Sequence, residues 1–279
     1  MNFLRNNDKL KRLEIQFNCF LQTNNLSFLS ELIDIQSFNF DFNSIYFSTE
    51  LEESIRKNLR LGNRLEYFFA YCILQSKDYD ILAKNIQVVK DKITVGELDF
   101  IIHDNLNDHI LHVEIANKFY LLDANIEGNY EQWIGPNRND CLLKKIEKLK
   151  TKQFPLLHHN RTTEILSNLE INNKGINQQL LFKTQLFVPL ENYSERKEER
   201  NIEGFYIAKL RFLKEDFKKN EYFIPEKQDW QVAPEYGEHW FSFNDALASI
   251  NMFLAEKKSP LVWLKNEKGN FEKFFIIWW

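Results

Sequence analysis

The chain has 279 residues, 36 Lys and Arg against 40 Asp and Glu for a net charge of -4, and 44% hydrophobic residues. That length buries a sizeable core, and 25 Phe, 10 Tyr and 6 Trp argue against disorder. With 8 glycines, no GxGxxG or GxxxxGK[ST] run and 3 cysteines that form no CxxC pair, phosphate loops, disulfide scaffolds and Cys-based zinc modules are disfavoured.

The start, Met1 to Asp8, lacks the apolar stretch of a signal peptide. No run approaches the ~20 apolar residues of a membrane span. The expectation is a cytoplasmic protein with no membrane partner. A slightly acidic balance also means that any nucleic-acid binding has to come from a local basic patch.

Residues 1–50 are expected to be a helical segment, with Leu26, Leu29, Leu32 and Ile33 at helical spacing. A clearer helix is expected after Ser48-Thr49-Glu50-Leu51, where Thr49 and Glu52 supply a start signal. Its stripe is Leu61, Leu65, Phe68, Phe69, Cys72 and Ile73, it ends near Lys77, and Gly62 is its weak point. Three strands should follow, over 81–90, 94–103 and 110–122, the last two joined by the turn-forming Asp104-Asn105-Leu106-Asn107-Asp108. A helix is expected over 138–153, with Leu142, Leu143, Ile146 and Leu149 as its apolar stripe, and a strand over 179–190.

The charged run 191–201 reads equally as a solvated loop or a domain boundary. Beyond it come short strands, a helix over 244–257 and two closing strands, the last ending in Phe274-Phe275-Ile276-Ile277-Trp278-Trp279. The fold class is α/β, a mixed central sheet flanked by helices. Its expected segments are an N-terminal helical one (1–50), a core (51–190) and a C-terminal α+β extension (191–279), separate or part of a single domain.

Chemistry concentrates in Gly96-Glu97-Leu98-Asp99-Phe100 and in the strand His112-Val113-Glu114-Ile115-Ala116-Asn117-Lys118. A hairpin register that sets Asp104 opposite His109 also sets Asp99 opposite Glu114. Two carboxylates ~5 Å apart repel by roughly 3 kcal/mol at an effective dielectric of ~20. A hard divalent cation, Mg²⁺ or Mn²⁺, would offset that. The two-residue strand period puts His112, Glu114, Ala116 and Lys118 on one face. Two acids and a lysine on one surface are the inventory of metal-assisted phosphodiester hydrolysis.

These residues resemble the PD-(D/E)xK nuclease superfamily, whose pattern is a helical Glu, a strand Asp and a Glu-x-Lys strand followed by a helix. The corresponding parts are Glu66, Asp99 within Gly96-Glu97-Leu98-Asp99-Phe100, and Glu114 with Lys118. Lys118-Phe119-Tyr120-Leu121 and Trp133-Ile134-Gly135-Pro136-Asn137 look similar to an uncharacterised bacterial family within it, over residue 60 to the C-terminus. The resemblance implies a restriction-endonuclease-like core. It implies Asp99, Glu114 and the main-chain carbonyl of Ile115 as metal ligands, Glu66 as an outer or water-orienting carboxylate, and Lys118 as catalytic lysine. The pattern departs at the lysine: Ala116 holds its usual place, and Lys118 lies ~6.6 Å further along the strand.

Arg138, Lys144 and Lys148 head the best basic surface, with Lys144 and Lys148 on one helical face suited to phosphates. The expected partner is therefore DNA or RNA, and a homodimer is a further expectation. Blander readings stand beside these. The acids could form a solvated hairpin face with Lys118 paired to Glu97, the lysines a solvated helix, and His112 a neighbour rather than a ligand. The alternative function is a degenerate nuclease-like module that binds nucleic acid or protein without cutting.

Overall fold

The computed structural model describes residues 2–42, 45–48 and 61–279, without the side chains of residues 2–9 and 215. The expected start signal at Thr49 and Glu52 lies outside the described residues. Helix α1 (Asn2–Gln22) precedes a single helical turn (Leu29–Leu32), strand β1 (Gln36–Ser37) and helix α2 (Leu61–Gln75). Three long strands follow, β2 (Tyr79–Lys90), β3 (Ile93–Asp104) and β4 (His109–Leu122), then the short β5 (Trp133–Ile134). Helix α3 (Leu142–Lys148) runs directly into a π turn (Leu149–Gln153) and a 3-10 turn (Phe154–His158), and α4 (Asn160–Asn168) comes next. The remainder is β6 (Asn177–Pro189), α5 (Leu190–Arg196), β7 (Ile202–Ala208), β8 (Glu221–Phe223), α6 (Phe243–Ala255), β9 (Leu261–Lys265) and β10 (Phe271–Ile277), with short helical turns between β7 and α6.

Strand pairing runs β2-β3-β4-β6-β7-β10-β9-β8, with β1 on β6 and β5 on β4, which makes a mixed ten-stranded sheet. The α/β class with a mixed sheet and flanking helices is what the order of sequence elements leads one to expect. Among the described residues no helix is long and apolar enough to cross a membrane.

The β3–β4 hairpin shows why that region is legible. Asp104 closes its loop, its Oδ1 accepting from the Leu106 and Asn107 amides at 3.0 and 3.1 Å. Such a carboxylate supplies a turn with acceptors that the backbone cannot. Pairing then runs from Asp104 with His109 to Phe100 with Val113, the register read from the sequence.

Two expectations fail in detail. The apolar spacing at 26–33 does not make a long helix. Leu26, Leu29, Leu32 and Ile33 are buried, but only one turn is helical and the Leu26 amide bonds the Phe182 carbonyl in strand fashion. The helix expected over 138–153 begins at Leu142, because Gly135 to Arg138 form a turn in which Arg138 takes φ +58°. It also changes pitch at Leu149, shortly before Pro155, whose ring lacks the N–H donor that a continuing α-helix needs.

The chain divides into two compact units, each discontinuous in sequence. One comprises 25–117 and 144–183. It holds β2, β3 and β4 as far as Asn117, packed through Ile86, Val88, Leu98 and Ile101 onto Leu156, Leu157 and Leu166, and Phe100 of β3 meets Phe69 of α2 edge to face at 4.8 Å. The other comprises 1–24, 118–143 and 184–279. Its core gathers Phe205, Phe212, Tyr222, Phe243, Ile250, Val262 and Phe274. The charged run after β6 lies inside this second unit, where α5 connects the parallel strands β6 and β7 and Arg196 grips Glu199 through two 2.7 Å bonds.

Candidate functional site at a forked strand pair

Beyond Phe100 and Val113 the β3–β4 ladder stops, while β3 continues to pair with β2. Asp99 and Glu114 stand at that fork, and their side chains take over the hydrogen bonding that the ladder gives up. The Ile115 amide donates to Asp99 Oδ2 at 2.8 Å, and the Asp99 amide reaches Glu114 Oε1 at 3.5 Å. The facing pair expected from the hairpin register is therefore real, and it is the point at which the sheet opens.

Glu114 is fully buried. Its Oε1 accepts from His112 Nε2 at 2.9 Å and its Oε2 from Gln153 Nε2 at 2.5 Å. Gln153 in turn accepts from Lys145 Nζ at 2.9 Å. Burial first, then the charge of Glu114, pushes the Asp99 carboxyl up to about 8, with Glu66 adding to the rise and the Ile115 amide and Lys145 opposing it. Glu66, on α2, is also raised, chiefly by burial and then by Glu97 and Glu114, against the Asn85 amide. That amide bridges Glu66 Oε2 at 2.9 Å and Glu97 Oε1 at 3.1 Å. Asn85 manages this from a left-handed backbone (φ +52°) within β2, a conformation that Asn tolerates better than most residues.

The structure thus brings together Asp99, Glu114 and the Ile115 amide, with Glu66 close enough for its charge to bear on Asp99, all named from sequence. It adds Asn85, Glu97, Lys145, Gln153 and His112, the last a hydrogen-bonding neighbour of Glu114 as expected. Lys118 belongs to the other unit, where its ammonium contacts the Asp140 carboxylate and not Glu97. Arg138 is also there, bonded to Asp123 at 2.7 Å and stacked 4.5 Å over the Trp279 ring. Those interactions give it a packing role of its own. Lys144 and Lys148 are exposed on α3 and enter no ion pair among the described residues.

Lys145 and Gln153 could not be paired by periodicity. Eight residues along an α-helix leave two side chains ~80° apart. The wider π turn takes up one extra residue, a feature frequent at functional sites, and restores a common direction. Gly96 makes room for the segment that follows, since a Cβ there would sit 2.8 Å from Leu156 Cδ2.

The carboxylate oxygens of Asp99 and Glu114 are the kind of donor that a hard divalent cation takes. Among the described residues no three His, Cys, Asp or Glu side chains are gathered to enclose a metal ion. Two carboxylates would leave most of a divalent cation's shell to water or substrate oxygens.

The chain belongs to the family described as a domain of unknown function, DUF1853, whose model matches residues 41–276. No curated protein and no solved structure matches it.

Proposed function

We propose that the protein is a Mg²⁺- or Mn²⁺-dependent nuclease with a PD-(D/E)xK-like core, hydrolysing phosphodiester bonds of DNA or RNA. The observation that carries this reading is the fork, where Asp99 and Glu114 face one another on diverging strands with Glu66 close enough for its charge to bear on Asp99. Asp99, Glu114 and the Ile115 carbonyl would hold the cation, which when bound would acidify a water and polarise a phosphate oxygen. Glu66 orients the attacking water, and exposed Lys144 and Lys148 meet substrate phosphates. Lys145 takes the role that the motif suggests for Lys118. It reaches Glu114 through Gln153, whereas Lys118 is engaged by Asp140.

The test is calorimetric Mn²⁺ binding by the wild type and by Asp99→Ala, each checked by thermal melting. Binding abolished in the variant, with cooperative melting retained, supports the site; equal binding by the two proteins removes it.

A second reading, a module that binds nucleic acid without cutting it, is favoured by Ala116, buried at the place where the motif has its lysine. Moving the lysine, as Ala116→Lys with Lys118→Ala, distinguishes the two. Cleavage gained from an inactive parent marks a site that has lost its chemistry, and an active parent rules out the module.

A further inference from the structure

Four carboxylates among the described residues are nearly or wholly buried: Asp104, Glu114, Asp123 and Asp229. Asp123 is paired with Arg138 and Asp229 with Arg12, and Asp104 closes a turn beside His109. Glu114, like Asp104, pairs with no Lys or Arg among the described residues, but unlike Asp104 it closes no turn. A buried carboxylate ordinarily takes a cationic partner, yet its side-chain donors are an imidazole and a carboxamide.

The hydrogen-bond accounting fixes the direction of the imidazole. Gln178, at the start of β6, sends Nε2 to the Phe154 carbonyl at 2.8 Å and lies 3.0 Å from His112 Nδ1. A carbonyl only accepts, so the Gln178 atom in question is its amide nitrogen. His112 Nδ1 therefore accepts from it, and the ring proton sits on Nε2, pointing at Glu114 Oε1. Phe154 directly follows Gln153. The same Gln178 amide thus anchors the backbone beside one donor to Glu114 and sets the tautomer of the other.

We infer that Gln178 and His112 are positioning residues for Glu114: they lock its carboxylate in place with neutral donors, leaving its negative charge for a cation. The inference rests on the metal-dependent reading above and assigns two residues that neither touch the metal nor belong to the motif. Neutral donors serve this end where an Arg would not, because they orient the oxygens without cancelling the charge.

The experiment is Mn²⁺ titration by calorimetry of the wild type, His112→Phe, His112→Gln and Gln178→Leu, with melting recorded in chelator. His112→Phe keeps the ring bulk and removes the donor. His112→Gln returns an amide N–H near the position of Nε2. Gln178 is only half-buried, so Gln178→Leu tests the relay if the fully buried His112→Phe does not fold. Expected are roughly 10- to 100-fold weaker binding in His112→Phe and Gln178→Leu, and near-wild-type binding in His112→Gln. Unchanged Mn²⁺ affinity in Gln178→Leu and in folded His112→Phe, with melting alone affected, overturns the inference while the metal site stands. No Mn²⁺ binding by the wild type overturns both.

Discussion

Asp99 carries the largest electrostatic burden of the cluster, and its behaviour with pH follows from that. Its carboxyl moves from an ordinary 3.8 up to about 8 in the folded protein, through burial and the neighbouring Glu114. Between those values the folded state holds a proton that the unfolded state has released. The stabilisation is therefore complete below the lower value and disappears as pH rises through the higher one. Metal-free protein should melt at falling temperature from pH 5 to pH 8, and Asp99→Asn should flatten that slope. Melting curves in chelator across this range check it; a wild-type slope equal to that of Asp99→Asn contradicts the assignment.

Lys145 and Lys118 separate just as directly. Lys145→Ala should lower cleavage by about 100-fold or more, the scale of removing one electrostatic stabiliser. Lys118→Ala should act mainly on stability, by about 1 kcal/mol or less for a partly exposed ion pair. Single-turnover cleavage beside chemical denaturation reads both, and the opposite ranking would return the role to Lys118. The facing acids were legible in the sequence because hairpin register is arithmetic once the turn is recognised. The Lys145–Gln153 contact was not, because the two residues converge only through a change of helical pitch that periodicity does not register.

Among the elements, β2, β3, β4, β6, α6 and the closing strands follow the sequence reading closely, since alternating or helical apolar patterns bounded by turn residues specify them. The errors cluster where burial and local geometry part company. Leu26, Leu29, Leu32 and Ile33 are buried at helical spacing, yet the segment bonds to β6, and 138–141 precede the helix expected to include them. The π turn links element to site, because it delivers Gln153 to Glu114 and its continuation packs against β3 over Gly96. Gly96→Ala should thus cost about 1–3 kcal/mol by overpacking against Leu156, and weaken Mn²⁺ binding as well. The added cost of Gly96→Ala should shrink in a Leu156→Ala background, a coupling that a double-mutant cycle measures. Strict additivity would place the tolerance for Gly96 elsewhere.

At the level of the whole molecule, two compact units built from interleaved segments explain why boundaries do not show as linkers in the sequence: three of the four crossings fall inside β4, α3 and β6. A net charge of -4 gives no general attraction for a polyanion, so nucleic-acid affinity has to come from a confined basic surface. Lys144, Lys148, Lys150 and Lys152 are exposed and enter no ion pair among the described residues. Neutralising Lys144 and Lys148 together should weaken DNA or RNA binding with little regard to sequence. It should also reduce the slope of log affinity against log salt by about 0.7–0.9 for each phosphate that the variant no longer neutralises. An unchanged slope would move the binding surface away from α3.

The most direct test of the central claim is cleavage of a panel of DNA and RNA substrates in Mg²⁺ and in Mn²⁺, by the wild type and by folded Asp99→Ala. Cutting that requires the metal and disappears in the variant is the predicted result, and it would establish the fork as a nuclease centre. Cutting that survives in Asp99→Ala, or no cutting by the wild type in either metal, would contradict it.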